Sequence, residues 1–205
     1  MIKNIIFDLG GVIIDLDPGA TTRAFEKLGM MNFRDQYSQA KQSGIFDEYD
    51  KGKITDDDFR NALRKFVKHP LSDKQIDQAW NAMLLKVPAH RLELLTAMKN
   101  KCRTFLLSNT NQIHVREFSR QLQIDHGISD FAGYFEKCYY SCDIGMRKPD
   151  AEIFEFVLTK NELKAEETIF IDDSIQHVHG AIAVGINGIL LPKNVEVKEL
   201  LRNML

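Results

Sequence analysis

The residues best suited to chemistry in this sequence are polar side chains that directly follow short apolar runs. Asp8 follows the run Ile5–Phe7, and two glycines, Gly10 and Gly11, come soon after it. A short apolar run bounded by glycine is typical of a strand buried on both faces at the centre of a parallel sheet. A carboxylate at the carboxyl end of such a strand lies where open α/β sheets bind ligands. Taken alone, Asp8 can equally well cap the following turn.

Later segments place more polar side chains at the ends of predicted strands. They are Ser108 and Asn109 after strand 102–107, Asp172 and Asp173 after strand 168–171, and Arg147-Lys148-Pro149 before a helix. Each has a simpler interpretation when considered alone, as a helix cap, a turn or exposed surface. Because parallel strands end at one edge of their sheet, we expect these groups to converge, and their joint occurrence argues against coincidence.

The predicted cluster contains carboxylates, a hydroxyl, an amide and one ammonium group, a set that suits a phosphoryl group. Mg²⁺ prefers oxygen ligands from one or two carboxylates together with phosphate oxygens. Ser108, Asn109 and Lys148 can bind the remaining phosphate oxygens and offset their charge. A carboxylate held in line by such groups can act as a nucleophile and form an aspartyl-phosphate.

The rest of the chain supplies the elements that position this cluster. Strands are predicted near residues 3–9, 102–107, 135–141, 168–171 and 188–191, alternating with helices after Pro88. This alternation predicts an α/β fold with a doubly wound parallel sheet. The segment between the first two strands has only helical patterns, at 20–30, 33–43, 55–67 and 72–85. It is too long for a simple crossover, so we expect a helical cap at 17–87 inserted into a core formed by 1–16 and 88–205.

Two helix starts within the predicted cap have clear sequence signals. Thr55 is followed by three acidic residues that suit a helix N-terminus, and Ser72 with Gln75 forms a capping-box pattern. Trp80 has helical spacing and is predicted to lie in the cap core rather than to bind a ligand.

Composition indicates an ordinary globular protein of 205 residues, 44% hydrophobic and 27% charged, with a formal net charge of -2. Neither this charge balance nor the hydropathy suggests a nucleic-acid or membrane partner. The three cysteines Cys102, Cys138 and Cys142 lack a CxxC pair and are expected to be reduced thiols. With no leader pattern at the N-terminus, a cytoplasmic location is expected, as a monomer or weak homodimer.

The order of the motifs FDLGGV, LLSNTN, GMRKPD and FIDDS closely resembles the haloacid-dehalogenase-like (HAD) hydrolase superfamily. Within it, the chain is most similar to bacterial sugar-phosphate phosphatases, in particular those acting on α-glucose 1-phosphate. The resemblance implies a Mg²⁺-dependent phosphatase acting on a small phosphorylated metabolite, with a Rossmann-like core. By this resemblance Asp8 is the nucleophile and a metal ligand, Ser108 and Asn109 bind the phosphoryl group, and Lys148 neutralises it. It further implies that Asp173 binds Mg²⁺ directly and Asp172 acts through water.

One position departs from the family pattern. Phosphatases of this superfamily usually carry an acid/base Asp two residues after the nucleophile, where this chain has Gly10. Gly10 can still offer its backbone carbonyl to the metal, but it cannot transfer a proton, and a positioned acid/base contributes roughly 10²–10⁴-fold in rate. Asp15, Asp17 or Glu48 is therefore expected to supply the proton, unless a good leaving group makes it unnecessary.

Two alternative functions remain open on the sequence. The first is a metal-independent 2-haloacid dehalogenase, which the Asp172-Asp173 pair disfavours because clustered acids repel one another without a cation. The second is a non-catalytic phosphate-binding regulatory module that lost turnover with the acid at Gly10.

Substrate choice is expected to depend on the cap, where residues 43–52 mix aromatic and acidic side chains. Phe46, Glu48 and Tyr49 are candidates for contacting a sugar, against the alternative of ordinary helix packing. His114, His126, His177 and His179 are not expected to bind metal, and His69 and His90 are expected to be exposed.

Overall fold

A computed structural model describes residues 1–30, 33 and 44–202 of the chain. Its five strands form one entirely parallel sheet in the order β3-β2-β1-β4-β5. The strands are β1 (Asn4–Phe7), β2 (Arg103–Ser108), β3 (Lys137–Tyr140), β4 (Thr168–Asp172) and β5 (Asn187–Leu190). The first strand is central and the chain winds to either side of it, which confirms the predicted doubly wound α/β fold.

Helices surround the sheet and fill the long connection after β1. Those before β2 are α1 (Pro18–Lys27), α2 (Ile45–Asp50), α3 (Asp56–Arg64), α4 (Asp73–Asn81) and α5 (Ala89–Lys99). Those after β2 are α6 (Gln112–His126), α7 (Ser141–Ile144), α8 (Ala151–Lys160), α9 (Ile175–Ala183) and α10 (Val197–Leu200). The predicted helix at 33–43 lies outside the described residues except for Phe33, as does the end of the predicted helix at 196–203.

The central strand is buried on both faces, as its apolar run predicted. Ile5 and Phe7 face a core that includes residues of α5 and α6, whereas Ile6 faces a second core with residues of α8 and α9. Side chains of a strand alternate between faces, so three consecutive apolar residues are needed to fill both cores. This packing fixes the position of β1 along its neighbouring strands and therefore the place where Asp8 leaves the sheet.

The segment 17–87, here called the cap, has an aromatic core of its own. Phe46 and Trp80 stack with ring centroids 5.5 Å apart, and Tyr49 stacks on Phe59 at 4.1 Å. The predicted capping box of Ser72 with Gln75 is present, and the predicted cap Thr55 also forms a capping box, with Asp58. Trp80 is buried in this core, as predicted.

The prediction that the last cap helix reaches residue 85 was wrong, because α4 ends at Asn81. Beyond it the chain pairs with the segment that leaves the core. Leu16 and Leu84 form an isolated antiparallel bridge, and the Asp17 N–H donates to the Met83 carbonyl at 2.9 Å. The backbone hydrogen bonds of this pairing replace those of a continued helix, and they join the two connections between cap and core.

The third strand is shorter than the predicted 135–141, since Ser141 begins α7. Within the described ranges, none of the helices is both long and apolar enough to cross a membrane.

Candidate functional site

Asp8 leaves the sheet from its central strand, between the ends of β2 and β4. Phe7 pairs with Leu106 on one side and with Ile171 on the other. The Asp8 N–H continues this ladder by donating to the Ile171 carbonyl at 2.9 Å. Asp8, one residue beyond Phe7, therefore lies beside the carboxyl ends of β2 and β4. This is the edge of the sheet at which the sequence predicted the site.

Lys148 provides the positive charge of this edge and is completely buried. Its Nζ donates to Asp8 Oδ1 at 2.6 Å, to Asp172 Oδ2 at 2.6 Å and to the Leu107 carbonyl at 2.9 Å. An ammonium group has three hydrogens, so all its donors are used. Although burial works against its charge, the two carboxylates outweigh burial and raise the pKa of Lys148.

Three carboxylates meet beside this ammonium group. Asp8, Asp172 and Asp173 each place an oxygen within 4.8 Å of the other two. Burial, followed by the nearby Asp172 charge, raises the pKa of Asp8 even though Lys148 opposes the shift. Three carboxylates and one ammonium group leave two negative charges uncompensated, and this donor set of hard oxygens fits a divalent cation such as Mg²⁺.

The two acids after β4 have different surroundings. Asp172 is fully buried, and besides Lys148 it accepts from the Ser174 N–H at 2.8 Å and lies 3.0 Å from His177 Nδ1. Burial raises its pKa, but Lys148 and His177 outweigh burial and hold the pKa of Asp172 below its usual value. Asp173 is more exposed, and burial together with Asp172 raises its pKa. Asp173 is therefore the more accessible carboxylate of the pair.

Ser108 and Asn109 stand at the end of β2, as predicted, and Ser108 is buried. The Asn109 side chain is engaged by the main chain of Lys148: its Nδ2 donates to the Lys148 carbonyl at 2.8 Å, and its Oδ1 accepts the Lys148 N–H at 2.9 Å. This pairing holds the lysine in place from a residue 39 positions earlier. Direct contact between Asn109 and a phosphoryl group stays a prediction.

The loop after Asp8 packs closely against the site. Gly11 has a φ of +72°, and a Cβ at this position would collide with the Asp173 carboxylate. A Cβ on Gly10 would lie 2.7 Å from Leu16 Cδ1 and 4.0 Å from Asp8 Oδ2. The Leu16 side chain thus takes up space where a side chain of residue 10 would begin.

Two of the residues predicted to replace the missing acid/base are paired with arginines. Asp15 accepts a hydrogen bond from Arg91 at 2.8 Å, and Asp17 accepts one from Arg23 at 2.6 Å. The Arg23 hydrogen bond lowers the pKa of Asp17, which makes Asp17 a poor proton donor. Glu48 lies on the exposed side of α2 and is not part of the carboxylate cluster at Asp8.

Sequence reasoning did not select Asp50, the last residue of α2. Its Oδ1 accepts a hydrogen bond from Asn111 Nδ2 at 3.2 Å, three residues beyond Ser108. Burial raises the pKa of Asp50 to about 6, against the lowering effects of Asn111 and Arg147. A carboxylate in the aromatic and acidic stretch 43–52 was visible in the sequence, but nothing there indicated its partner 61 positions away.

The cap also borders an apolar cavity of about 270 Å³, which lies beside the first turn of α1. Trp80 lines this cavity, and its Nε1 donates to Asn111 Oδ1 at 3.3 Å. Phe46 and Tyr49 are buried in the aromatic core of the cap, which favours the packing alternative over contact with a sugar. The cavity is lined by Pro18, Gly19, Thr21, Thr22, Phe33, Trp80 and Met83.

Histidines do not contribute to the candidate metal cluster, which consists of carboxylates alone within the described part of the chain. His114 is buried against Trp80, and burial lowers its pKa to about 3. His69 and His90 are exposed, as predicted. All three cysteines are free.

The site thus consists of a buried lysine between carboxylates at the carboxyl edge of a doubly wound sheet. The model of the haloacid dehalogenase-like hydrolase family matches residues 2–185, so the chain belongs to that family. This confirms the resemblance found in the motifs.

Comparison with individual proteins gives the same relationship. The chain is 33% identical to a D-ribitol-5-phosphate phosphatase of Bacteroides thetaiotaomicron, over 87% of this chain and 86% of the relative. It is 29% identical to a sesquiterpene phosphatase of Aspergillus oryzae, over 92% and 89% of the two chains. A crystal structure of a HAD-family enzyme of Bacteroides thetaiotaomicron, complexed with magnesium and inorganic phosphate, matches with a TM-score of 0.90 and 36% identity, covering 98% of this chain and 99% of that one.

Proposed function

We propose that the protein is a Mg²⁺-dependent phosphatase that hydrolyses a small phosphorylated metabolite, with a sugar or polyol phosphate as its substrate. The observation that carries this proposal is the contact of one buried ammonium group, Lys148 Nζ, with both Asp8 and Asp172 at 2.6 Å. The relative named as a D-ribitol-5-phosphate phosphatase and the related structure holding magnesium and phosphate support the same chemistry.

Asp8 is the proposed nucleophile. One of its carboxylate oxygens attacks phosphorus, the bond from phosphorus to the alcohol oxygen breaks, and the departing oxygen takes up a proton. Water then attacks phosphorus of the aspartyl-phosphate, which releases inorganic phosphate and restores Asp8. The charge of the transferred group is offset by Lys148, whose position depends on Asn109.

The carboxylate cluster suits the cofactor. Asp8 and Asp173 would hold Mg²⁺ together with the Gly10 carbonyl, and Asp172, whose oxygens are already engaged, would act through water. When bound, the cation would supply charge neutralisation for the phosphate oxygens.

The alcohol part of the substrate would lie on the cap side of the site. We retain Glu48, exposed on α2, as a candidate substrate-binding residue, and the apolar cavity beside Trp80 as space for carbon atoms of the alcohol. Because Gly10 has no side chain that could protonate the departing oxygen, we expect slow turnover of substrates with poor leaving groups.

A screen of phosphorylated sugars and polyols with added Mg²⁺ tests the proposal, using Asp8→Asn as the blank. Hydrolysis that requires Mg²⁺ and disappears in Asp8→Asn is the expected result. Activity towards 2-haloacids that survives EDTA would instead indicate a metal-independent dehalogenase, against which the three clustered carboxylates argue.

A second candidate function rests on Gly10, which removes the usual proton-transferring side chain. A non-catalytic phosphate-binding module would be stabilised thermally by inorganic phosphate yet hydrolyse none of the esters in the screen. Turnover of any of these esters that depends on Asp8 would contradict this alternative.

A further inference from the structure

The end of α2 is the part of the cap that contacts the loop carrying Lys148. Asp47 forms an ion pair with Arg147, and Lys51 Nζ lies 3.3 Å from Asp150 Oδ2. Gly52 has a φ of +63°, and a Cβ there would collide with the Cys142 carbonyl. The cap backbone and the core loop are therefore in close contact here, on both sides of Asp50.

Asn111 connects this contact to the proposed phosphate-binding turn. It is 1% exposed, caps the N-terminus of α6 and follows directly after the turn 108–110. Its Oδ1 accepts from the His114 N–H at 3.1 Å and from Trp80 Nε1 at 3.3 Å. Because two donors fix the oxygen, the NH₂ group must point the other way, and there it meets Asp50 Oδ1 at 3.2 Å.

The surroundings of Asp50 make it unfavourable to ionise a carboxyl group at this contact. Arg147 of the core loop is a cation near Asp50 and lowers its pKa, whereas Asp47, on the same helix as Asp50, is a like charge and raises it. The Cys142 thiol is a further titratable group that interacts with Asp50. An asparagine could accept the same hydrogen bond without a buried charge. Burial raises the pKa of Asp50 to about 6, so ionising this carboxyl group costs more free energy than ionising an exposed aspartate.

We propose that Asp50 is a positioning residue, which accepts the hydrogen bond of Asn111 and thereby holds the turn 108–111 in the geometry that binds phosphate. The inference rests on the proposed function, because it assigns the residue to phosphate binding at the same site. Asp50 acts through Asn111, and the charge of Arg147, the residue before Lys148, also acts on it, so this cap residue is near both segments proposed to bind the phosphoryl group.

Calorimetric titration with inorganic phosphate in the presence of Mg²⁺ tests the inference without requiring turnover. Asp50→Ala leaves the Asn111 amide without its acceptor and is expected to weaken phosphate binding about tenfold. Asp50→Asn restores an acceptor and is expected to bind phosphate within about threefold of the wild type. Asp57→Asn is the matched control, since Asp57 is a cap carboxylate whose side chain is 78% exposed and pairs with Arg60 of its own helix.

Each outcome has one meaning. Equal phosphate affinity of the wild type and Asp50→Ala would overturn the inference while leaving the phosphatase proposal intact. Asp50→Asn binding as weakly as Asp50→Ala would also overturn it, because the Asn111 contact would then not be what matters. If the wild type neither binds phosphate nor hydrolyses an ester, the proposed function fails and this inference fails with it.

If Asp50→Ala does not fold, Asp50→Ser takes its place. The shorter serine side chain does not reach Asn111, so the same loss of phosphate affinity is expected.

Discussion

At the scale of single residues, the site depends on one buried lysine. Lys148 is fully buried between Asp8 and Asp172, and its third hydrogen bond goes to the Leu107 carbonyl. Breaking a buried ion pair by removing one partner is costly because the remaining charge is left without compensation. The lysine therefore has a structural role in addition to its proposed part in the chemistry.

Replacing Lys148 by Met should destabilise the protein by about 3–5 kcal/mol in the absence of a divalent cation, because two carboxylates are left buried. Urea denaturation in EDTA and in Mg²⁺ measures the free energy of unfolding of both proteins. Mg²⁺ is expected to reduce the difference in this free energy between Lys148→Met and the wild type. Lys160→Met, on the exposed end of α8, serves as the control. A Lys148→Met variant as stable as the wild type in EDTA would show that the ion pairs contribute nothing.

Gly10 gives a second prediction at this scale. Because its Cβ position lies 2.7 Å from Leu16 Cδ1, Gly10→Asp alone should be destabilised and should gain little activity. Combined with Leu16→Ala, the new carboxylate has room, and hydrolysis of alkyl phosphates should rise about tenfold or more over Leu16→Ala alone. The comparison is made on kcat/KM for an alkyl phosphate against an aryl phosphate with a good leaving group. An equal change for both substrates would contradict a role in leaving-group protonation.

At the scale of elements, the sequence predicted the strands and their polar ends because the signals are local. A short apolar run followed by Asp8, Ser108 or Asp172 is complete within a few residues. The end of α4 could not be predicted, because the competing hydrogen bonds come from residues 15–17 on a distant segment. The contact of Asn109 with the Lys148 main chain and the role of Asp50 were not predicted for the same reason, since the partners of these residues lie 39 and 61 positions away.

His177 has a contact with the site that its position in the sequence did not predict. Its spacing from His179 predicted that the two side chains do not face the same way, and the carboxylate cluster found among the described residues includes neither. Yet His177 Nδ1 lies 3.0 Å from Asp172, a contact across the first turn of α9. A residue can thus support the site without being one of its ligands.

The contact of α2 with the core predicts how stability depends on pH. Since burial raises the pKa of Asp50 to about 6 in the folded protein, folding favours its protonated form, and the contribution to stability falls as pH rises from about 4 to about 6. Asp50→Asn removes this penalty and keeps the acceptor for Asn111. We therefore expect Asp50→Asn to be more stable than the wild type at pH 7.5, by on the order of 1–3 kcal/mol.

The same difference should disappear near pH 4, where Asp50 is protonated in the wild type as well. Urea denaturation of both proteins at several pH values provides the test, with Asp57→Asn as the control for loss of an exposed cap carboxylate. A stability difference that does not change with pH would contradict a raised pKa of Asp50 in the folded protein.

At the scale of the whole molecule, the fold brings together groups that are up to 165 positions apart. Asp8 directly follows the central strand, Asp172 ends the neighbouring strand β4, and Lys148 lies in the loop between α7 and α8. The cap contacts the core through the hydrogen bond of Asp50 with Asn111 and through the pairing of Leu84 with Leu16. Motif order predicted the core of this arrangement, whereas the contacts between cap and core required the structure.

The central claim is that Asp8 is the nucleophile of a phosphoryl transfer. It is tested most directly by mixing the enzyme with Mg²⁺ and a phosphorylated substrate, quenching in acid and reducing with borohydride before peptide mass spectrometry. Borohydride reduces an aspartyl-phosphate at position 8 to homoserine. We therefore expect homoserine at position 8 when substrate and Mg²⁺ are both present, and aspartate there when either is omitted. Rapid hydrolysis with an unmodified Asp8, or with a modified residue elsewhere, would contradict it.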